Sequence, residues 1–272
     1  MLLGLTKDEY HAREEYSNSK LSCFAKSPRR YHAQFIAKTI PPPAGKALDM
    51  GTVGHAAILE PHIIGTTCVR IPKEVLNADG HKRGKAWLEY QEAMGDTILL
   101  SDADYADVLG MFEAVYSNEY AASFLRSPGF PEANIIWEAE GAACRSRVDR
   151  LLPDYVVDIK TTRDASPRAF ERSIAEYRYH QQAAFYLDAA KHHDGKERKF
   201  IFIAVESTAP YRVGVHQIAS GSVAAGRATY LDCIKQIQQR TRTGEWNDWF
   251  ERRINMVSLP TWNEEPILEN GE

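Results

Sequence analysis

The sequence predicts an α/β architecture, a mixed central β-sheet flanked by helices. Three observations carry that expectation. Residues 135–140, 143–152 and 155–160 are apolar or alternating runs in close succession, the pattern of a three-strand meander. Two helical stretches, 167–177 and 179–191, come next. A second strand pair, 199–207 and 211–218, is then joined by the turn STAP and followed by a long helical stretch at 221–241.

The first half reads as mainly helical. Residues 20–38 are helical with a break at Ser27-Pro28, and Pro28 suits the first position of a new helix. PPPAG at 41–45 is a turn or linker. GTVGHAAILEP at 51–61 reads as a short helix that opens near Thr52 and ends at Pro61. Residues 68–71 suit a short strand, and NADGHKRGK at 77–85 a polar loop. Helices are expected at 87–94, at 118–126, and from Ser101, which caps through Asp104, to about Tyr116. A Trp-rich tail at 246–262 ends the pattern.

Composition sets limits. The 272 residues are 44% hydrophobic and 26% charged, an ordinary globular balance. No apolar run approaches the ~18 residues of a membrane span, and the N-terminus lacks the basic lead of a signal peptide, so a cytoplasmic protein with no membrane partner is expected. Cys23, Cys68, Cys144 and Cys233 are too scattered for a zinc or iron–sulfur site. A net charge of −4 disfavours a protein that coats nucleic acid, but 20–38 carries Lys20, Lys26, Arg29, Arg30 and Lys38 with no acid among them. Such a run suits either a solvated helix face or a local basic patch.

DYVVDIKTT, 154–162, reads as a core strand, yet it carries Asp158 and Lys160 on one face, ~6.6 Å apart. Pro153-Asp154 is a natural turn. A symmetric hairpin centred there sets Asp149 directly opposite Asp158, with Cβ atoms roughly 4.5–5.5 Å apart. Two half-buried carboxylates so placed repel unless a divalent cation offsets them. The alternative is pairing with Arg145, Arg147 or Arg150. His55, with glycines before it, is a further ligand choice, and imidazole suits Mn²⁺ better than Mg²⁺. Gln182 and Tyr186 share one helix face, as any i, i+4 pair does.

These residues together resemble the PD-(D/E)xK nuclease superfamily. His55, Asp149, Asp158-Ile159-Lys160 and Gln182-x-x-x-Tyr186 match the order of the RecB-like branch. The stretches YSNSKLSCFAKSPRRY, GTVGHAAILEP, 146–188 and SLPTW are similar to the exonuclease VIII group and its phage relatives. The resemblance implies one nuclease domain over 1–272: a helical part to 130 with the His motif, a catalytic sheet over 131–220, and a C-terminal helix and tail. It implies a Mg²⁺-dependent exodeoxyribonuclease, with Mn²⁺ able to substitute, acting 5′→3′ on linear duplex ends and leaving 3′ overhangs. The implied metal ligands are His55, Asp149, Asp158 and the Ile159 carbonyl, with Lys160, Gln182 and Tyr186 at the reacting phosphate. A homo-oligomeric ring, tetrameric or trimeric, and a single-strand annealing protein are the implied partners. Ser27, Arg29 and Arg30 are expected to contact DNA. Some relatives carry an iron–sulfur cluster; Ser27 stands where their cysteine would, so no cluster is expected. Rival expectations are a non-catalytic DNA-end scaffold and a structure-specific or single-strand endonuclease on the same fold.

Overall fold

The computed structural model describes residues 5, 7–41, 43, 45–61, 67–95 and 97–258. Helices α1 (Lys7–Ala12), α2 (Asn18–Lys26) and α3 (Pro28–Tyr31) lead into a π-helical turn, His32–Ile36. Then come α4 (Lys46–Leu59), β1 (Cys68–Arg70), α5 (Lys85–Met94), β2 (Ile98–Leu100), α6 (Asp102–Ser117) and α7 (Glu119–Arg126). The central sheet strands are β3 (Phe130–Ala139), β4 (Ala142–Leu151), β5 (Tyr155–Thr162), β6 (Lys199–Glu206) and β7 (Val213–Gln217). Helices α8 (Pro167–Glu176) and α9 (Tyr179–Asp194) lie between β5 and β6, and α10 (Ser220–Thr243) follows β7.

The sheet order is β3-β4-β5-β6-β7. Three neighbouring pairs are antiparallel, while β5 and β6 are parallel, so the sheet is mixed as expected. A parallel pair needs a crossover, which α8 and α9 supply. Both faces of the central strands are buried. Phe200, Phe202 and Ala204 point into one core with Phe24, Phe185 and Ile234; Ile201, Ile203 and Val205 point into the other with Val53, Ile58 and Met111. That period of two on an unbroken apolar strand is what covered faces require.

Ser27 caps α3, its Oγ accepting from Arg30 N at 3.0 Å, which explains the Ser-Pro break. Ser101 caps α6 by accepting from Asp104 N at 3.2 Å. Two features differ from expectation. Helix α4 begins at Lys46, six residues before Thr52, so Gly51 and Gly54 are inside it. Glycine within a helix costs about 1 kcal/mol, but a Cβ on Gly54 would stand 3.0 Å from Met111 Cε and 3.4 Å from Thr161 Cγ2. The missing side chains therefore let α4 lie directly on α6 and β5. The strand near Cys68 finds a parallel partner in β2, three apolar residues too short to stand out in sequence.

The tail packs back on the N-terminal helices. Trp246 stacks on Tyr31 at 5.9 Å, and Trp249 meets Phe24 edge-on at 6.0 Å. Residues 259–262 of the SLPTW stretch, and 42 and 44 of PPPAG, lie outside the described residues. Among the described residues no helix is long and apolar enough to cross a membrane.

Candidate active site

The site forms where β4 leaves β5. Leu151 pairs with Val156 and Arg150 with Val157, the register set by the Pro153-Asp154 turn, and the described pairing stops there. Asp149 and Asp158 would be the next pair. Instead Asp149 Oδ2 accepts the Ile159 N–H at 2.8 Å, standing in for a main-chain acceptor. Farther along β4 the backbone of Tyr16 takes over that edge, with Tyr16 N to Ala143 O at 3.0 Å and Arg145 N to Tyr16 O at 2.8 Å. The edge of β4 between these two sets of bonds is left open beside Asp149.

Helix α4 delivers His55 to this opening. Its Nε2 is 2.8 Å from Asp149 Oδ2 and its Nδ1 is 3.7 Å from Glu132 Oε1. Glu132 comes from β3, in register with Asp149, at a break in the ladder between Pro131↔Arg150 and Ala133↔Val148. Its φ of 47° is left-handed, a strained state for a residue with a side chain. Arg147 pairs with the same carboxylate. On the β5 side, Asp158 Oδ1 accepts from Gln182 Nε2 at 3.0 Å and Asp158 Oδ2 lies 2.6 Å from Lys160 Nζ. That ammonium also sits 4.8 Å from the centre of the Tyr179 ring. Tyr186 stands one helical turn after Gln182 on α9.

The arginines nearby do not neutralise the two aspartates. Arg145 donates to the carbonyls of Tyr10 and Arg13, Arg147 goes to Glu132, and Arg150 donates to Ser127 O at 2.5 Å. The charges must settle among themselves. Burial works against a charged His55, but the Asp149 and Glu132 carboxylates outweigh it and raise its pKa to about 9. Burial raises Asp158 to about 7, with Lys160 opposing and Asp149 adding to the rise. Burial also acts against Asp149, yet His55, Lys160 and the Ile159 N–H hold it below its ordinary value. Burial disfavours the Lys160 charge, but Asp158 and Asp149 keep its pKa raised.

The raised imidazole makes a stability prediction for the metal-free protein. Its folded pKa exceeds the unfolded value of about 6.5, so its contribution is full below that pH and is lost as pH rises through about 9. Asp158 adds a loss complete by about pH 7. In EDTA, the Tm of the wild-type chain should therefore fall between pH 7 and 9, and that of His55→Asn should stay flatter. Equal slopes would remove the His55–Asp149 pairing.

The donor set fits a hard or borderline divalent cation. His55, Glu132 and Asp149 each offer one ligand atom, and these lie within 4.8 Å of one another. Asp158 Oδ2 is buried against the Lys160 ammonium at 2.6 Å and keeps lone-pair capacity for a cation or a bound water. One imidazole among carboxylates suits Mn²⁺ and tolerates Mg²⁺.

The expected residues are thus drawn together. Glu132 holds the place beside His55 and Asp149 that was expected of Asp158, which turns instead to Lys160 and Gln182. Ile159 meets Asp149 through its amide N–H, while its carbonyl was the expected ligand atom. Tyr186 is half-buried, four residues after Gln182 on α9. Ser27 and Arg29 are engaged by the tail: Ser27 Oγ donates to Asp248 Oδ1 at 2.7 Å, and Arg29 pairs with Glu251. Only Arg30 of that expected patch is unpaired among the described residues.

Glu132 is the residue that sequence reasoning missed, although a signal existed. Glu140-Gly141, with φ values of 49° and 68°, makes a two-residue hairpin turn. Symmetric pairing about that turn sets Glu132 opposite Asp149. Pro131 hid this, since proline argues against a strand; β3 is an edge strand, where a missing N–H is tolerated.

The model of a PDDEXK-like domain of unknown function (DUF3799) matches residues 17–252. No curated protein matches the chain. Among solved structures, a candidate exonuclease from Eubacterium rectale superposes with a TM-score of 0.66 at 14% identity, covering 95% of this chain and 97% of its own. At that identity the match speaks for the fold. SSO0001 aligns over 71% of this chain and 87% of its own at 17% identity, with a TM-score of 0.30, too low to support an argument. The matched span takes in every residue of the open edge from His55 to Gln182, and the chain belongs to this PDDEXK-like family.

Proposed function

We propose that this protein is a Mg²⁺-dependent exodeoxyribonuclease, with Mn²⁺ able to substitute, that degrades linear double-stranded DNA from its ends in the 5′→3′ direction. It leaves 3′ single-stranded overhangs for recombination by strand annealing. The observation that carries the reading is Lys160 paired with the buried Asp158 beside the His55–Glu132–Asp149 group, all at one opening in the sheet. A scaffold that only gripped DNA ends would not need an ammonium and three carboxylates desolvated together, since such burial is costly.

His55, Glu132 and Asp149, with Asp158 Oδ2 alongside, would hold a divalent cation, and that cation would supply polarisation of the scissile phosphate and a water of lowered pKa. The protein groups do the remaining work. Lys160, held protonated by Asp158 and Asp149, orients the attacking water and stabilises charge that grows on the phosphate oxygens. Gln182 fixes the Asp158 carboxylate through Oδ1, so that Oδ2 points one way. Asp149, anchored by the Ile159 amide, keeps its orientation whether His55 carries a proton or not.

The deciding assay uses duplex DNA labelled separately at the 5′ and 3′ ends, beside covalently closed circular duplex. Mononucleotide release from the 5′ strand with Mg²⁺ or Mn²⁺, none in EDTA, and untouched circles are expected. Cleaved circles would replace the exonuclease with an endonuclease, and binding without release would leave a scaffold.

A further inference from the structure

The large groove beside this opening has no part in the metal chemistry. Its volume is about 2280 Å³, well beyond the ~300–1,000 Å³ of a small-molecule pocket. Its walls come from the segment preceding α2, from α2 and α3, from the π-helical turn and from the end of α8. Arg13, Lys20, Lys26, Arg30, Lys38 and Arg145 line it, against only Glu14 and Glu15. In a chain of net charge −4, that concentration of positive charge is local. Glu15 is already paired with Arg13, and Lys26, Arg30 and Lys38 form no ion pair among the described residues. The groove therefore faces solvent with unneutralised cations, the footprint of a polyanion.

One aromatic residue joins the groove to the reacting end. Tyr177 lines it and is 51% exposed. Its ring lies against Tyr179 at 5.6 Å, and the Lys160 ammonium lies over the Tyr179 ring, 4.8 Å from its centre. A large exposed ring at the boundary between a cationic groove and a catalytic lysine suits stacking on a base. Only an unpaired base offers its face in this way.

We propose that this groove binds a single unpaired DNA strand, with Tyr177 stacking on a base next to the site and Lys26, Arg30 and Lys38 following the phosphates. The proposal rests on the nuclease reading and deepens it: the duplex end must fray for one strand to enter. Stacking with backbone attraction tolerates any sequence, as degradation from a DNA end requires.

The test is binding of a 2-aminopurine-labelled single strand to the full chain in EDTA, followed by anisotropy and by quenching of the probe. Circular dichroism melts of each variant check its fold. Tyr177→Ala is expected to weaken binding about tenfold and abolish quenching, whereas Tyr177→Phe keeps both. Lys26→Ala and Lys38→Ala should each lower the slope of log K against log salt by about 0.7. Unchanged affinity and quenching in Tyr177→Ala would overturn the proposal, as would blunt duplex binding as tightly with no dependence on Tyr177. Wild-type hydrolysis of linear duplex with Mn²⁺, measured in parallel, separates the two ideas. Hydrolysis with Tyr177-independent binding rejects the groove alone, and its absence rejects the nuclease reading beneath it.

Discussion

Asp158→Asn leaves a folded protein that still binds DNA ends but hydrolyses linear duplex about 10³-fold more slowly. Asp158 is 1% exposed, and its two oxygens have separate duties. Oδ1 is held by Gln182 at 3.0 Å, and Oδ2 faces Lys160 and the opening. Asparagine keeps the shape and can keep the Gln182 bond through its own Oδ1. It removes the charge that faces the ammonium and any cation. Initial rates with Mn²⁺ and anisotropy of a labelled duplex in EDTA separate turnover from binding. A variant within tenfold of the wild-type rate would remove Asp158 from the reacting centre.

Lys160→Ala lowers kcat by about 10²–10³ while changing Mn²⁺ affinity less than threefold. The ammonium faces Asp158 rather than the His55–Glu132–Asp149 group, so its loss falls on the phosphate and the water more than on the ion. Titration calorimetry with Mn²⁺ and single-turnover hydrolysis measure the two halves of this statement. A larger loss of metal affinity than of turnover would reverse the role given to Lys160. The same variant should melt lower, because it strands the Asp158 carboxylate without its partner. Adding Asp158→Asn to Lys160→Ala should return part of that Tm and none of the activity. The double variant thereby distinguishes a catalytic cation from one that merely neutralises a buried charge.

Much of the site was legible because its positions are local. The Pro153-Asp154 turn sets the register that makes Asp149 and Asp158 neighbours, and Arg150↔Val157 follows that register. Period-two alternation placed Asp158 and Lys160 on one face, where their side chains meet at 2.6 Å. Gln182 and Tyr186 are four apart in α9, as the helical period places them. Other features depended on distant parts of the chain. Nothing within 20–38 reveals that Ser27 and Arg29 answer to Asp248 and Glu251, more than 200 residues away. Nothing near Tyr177 shows that its neighbour Tyr179 supports Lys160 from another element. The splay of β4 from β5 is likewise a tertiary event, since an unsplayed hairpin would satisfy the same turn.

The sequence by itself determined the strand order along the chain, the pairing frame of the β4–β5 hairpin and the shared face of Asp158 and Lys160, because turn chemistry and side-chain period act over a few residues. Only the tertiary structure decided which carboxylates face His55, how far the sheet opens and which cations remain unpaired. Those outcomes depend on burial and charge balance summed over elements that meet only after folding. A carboxylate such as Glu132, held in a left-handed backbone at an edge strand, acquires its role from its neighbours across the ladder.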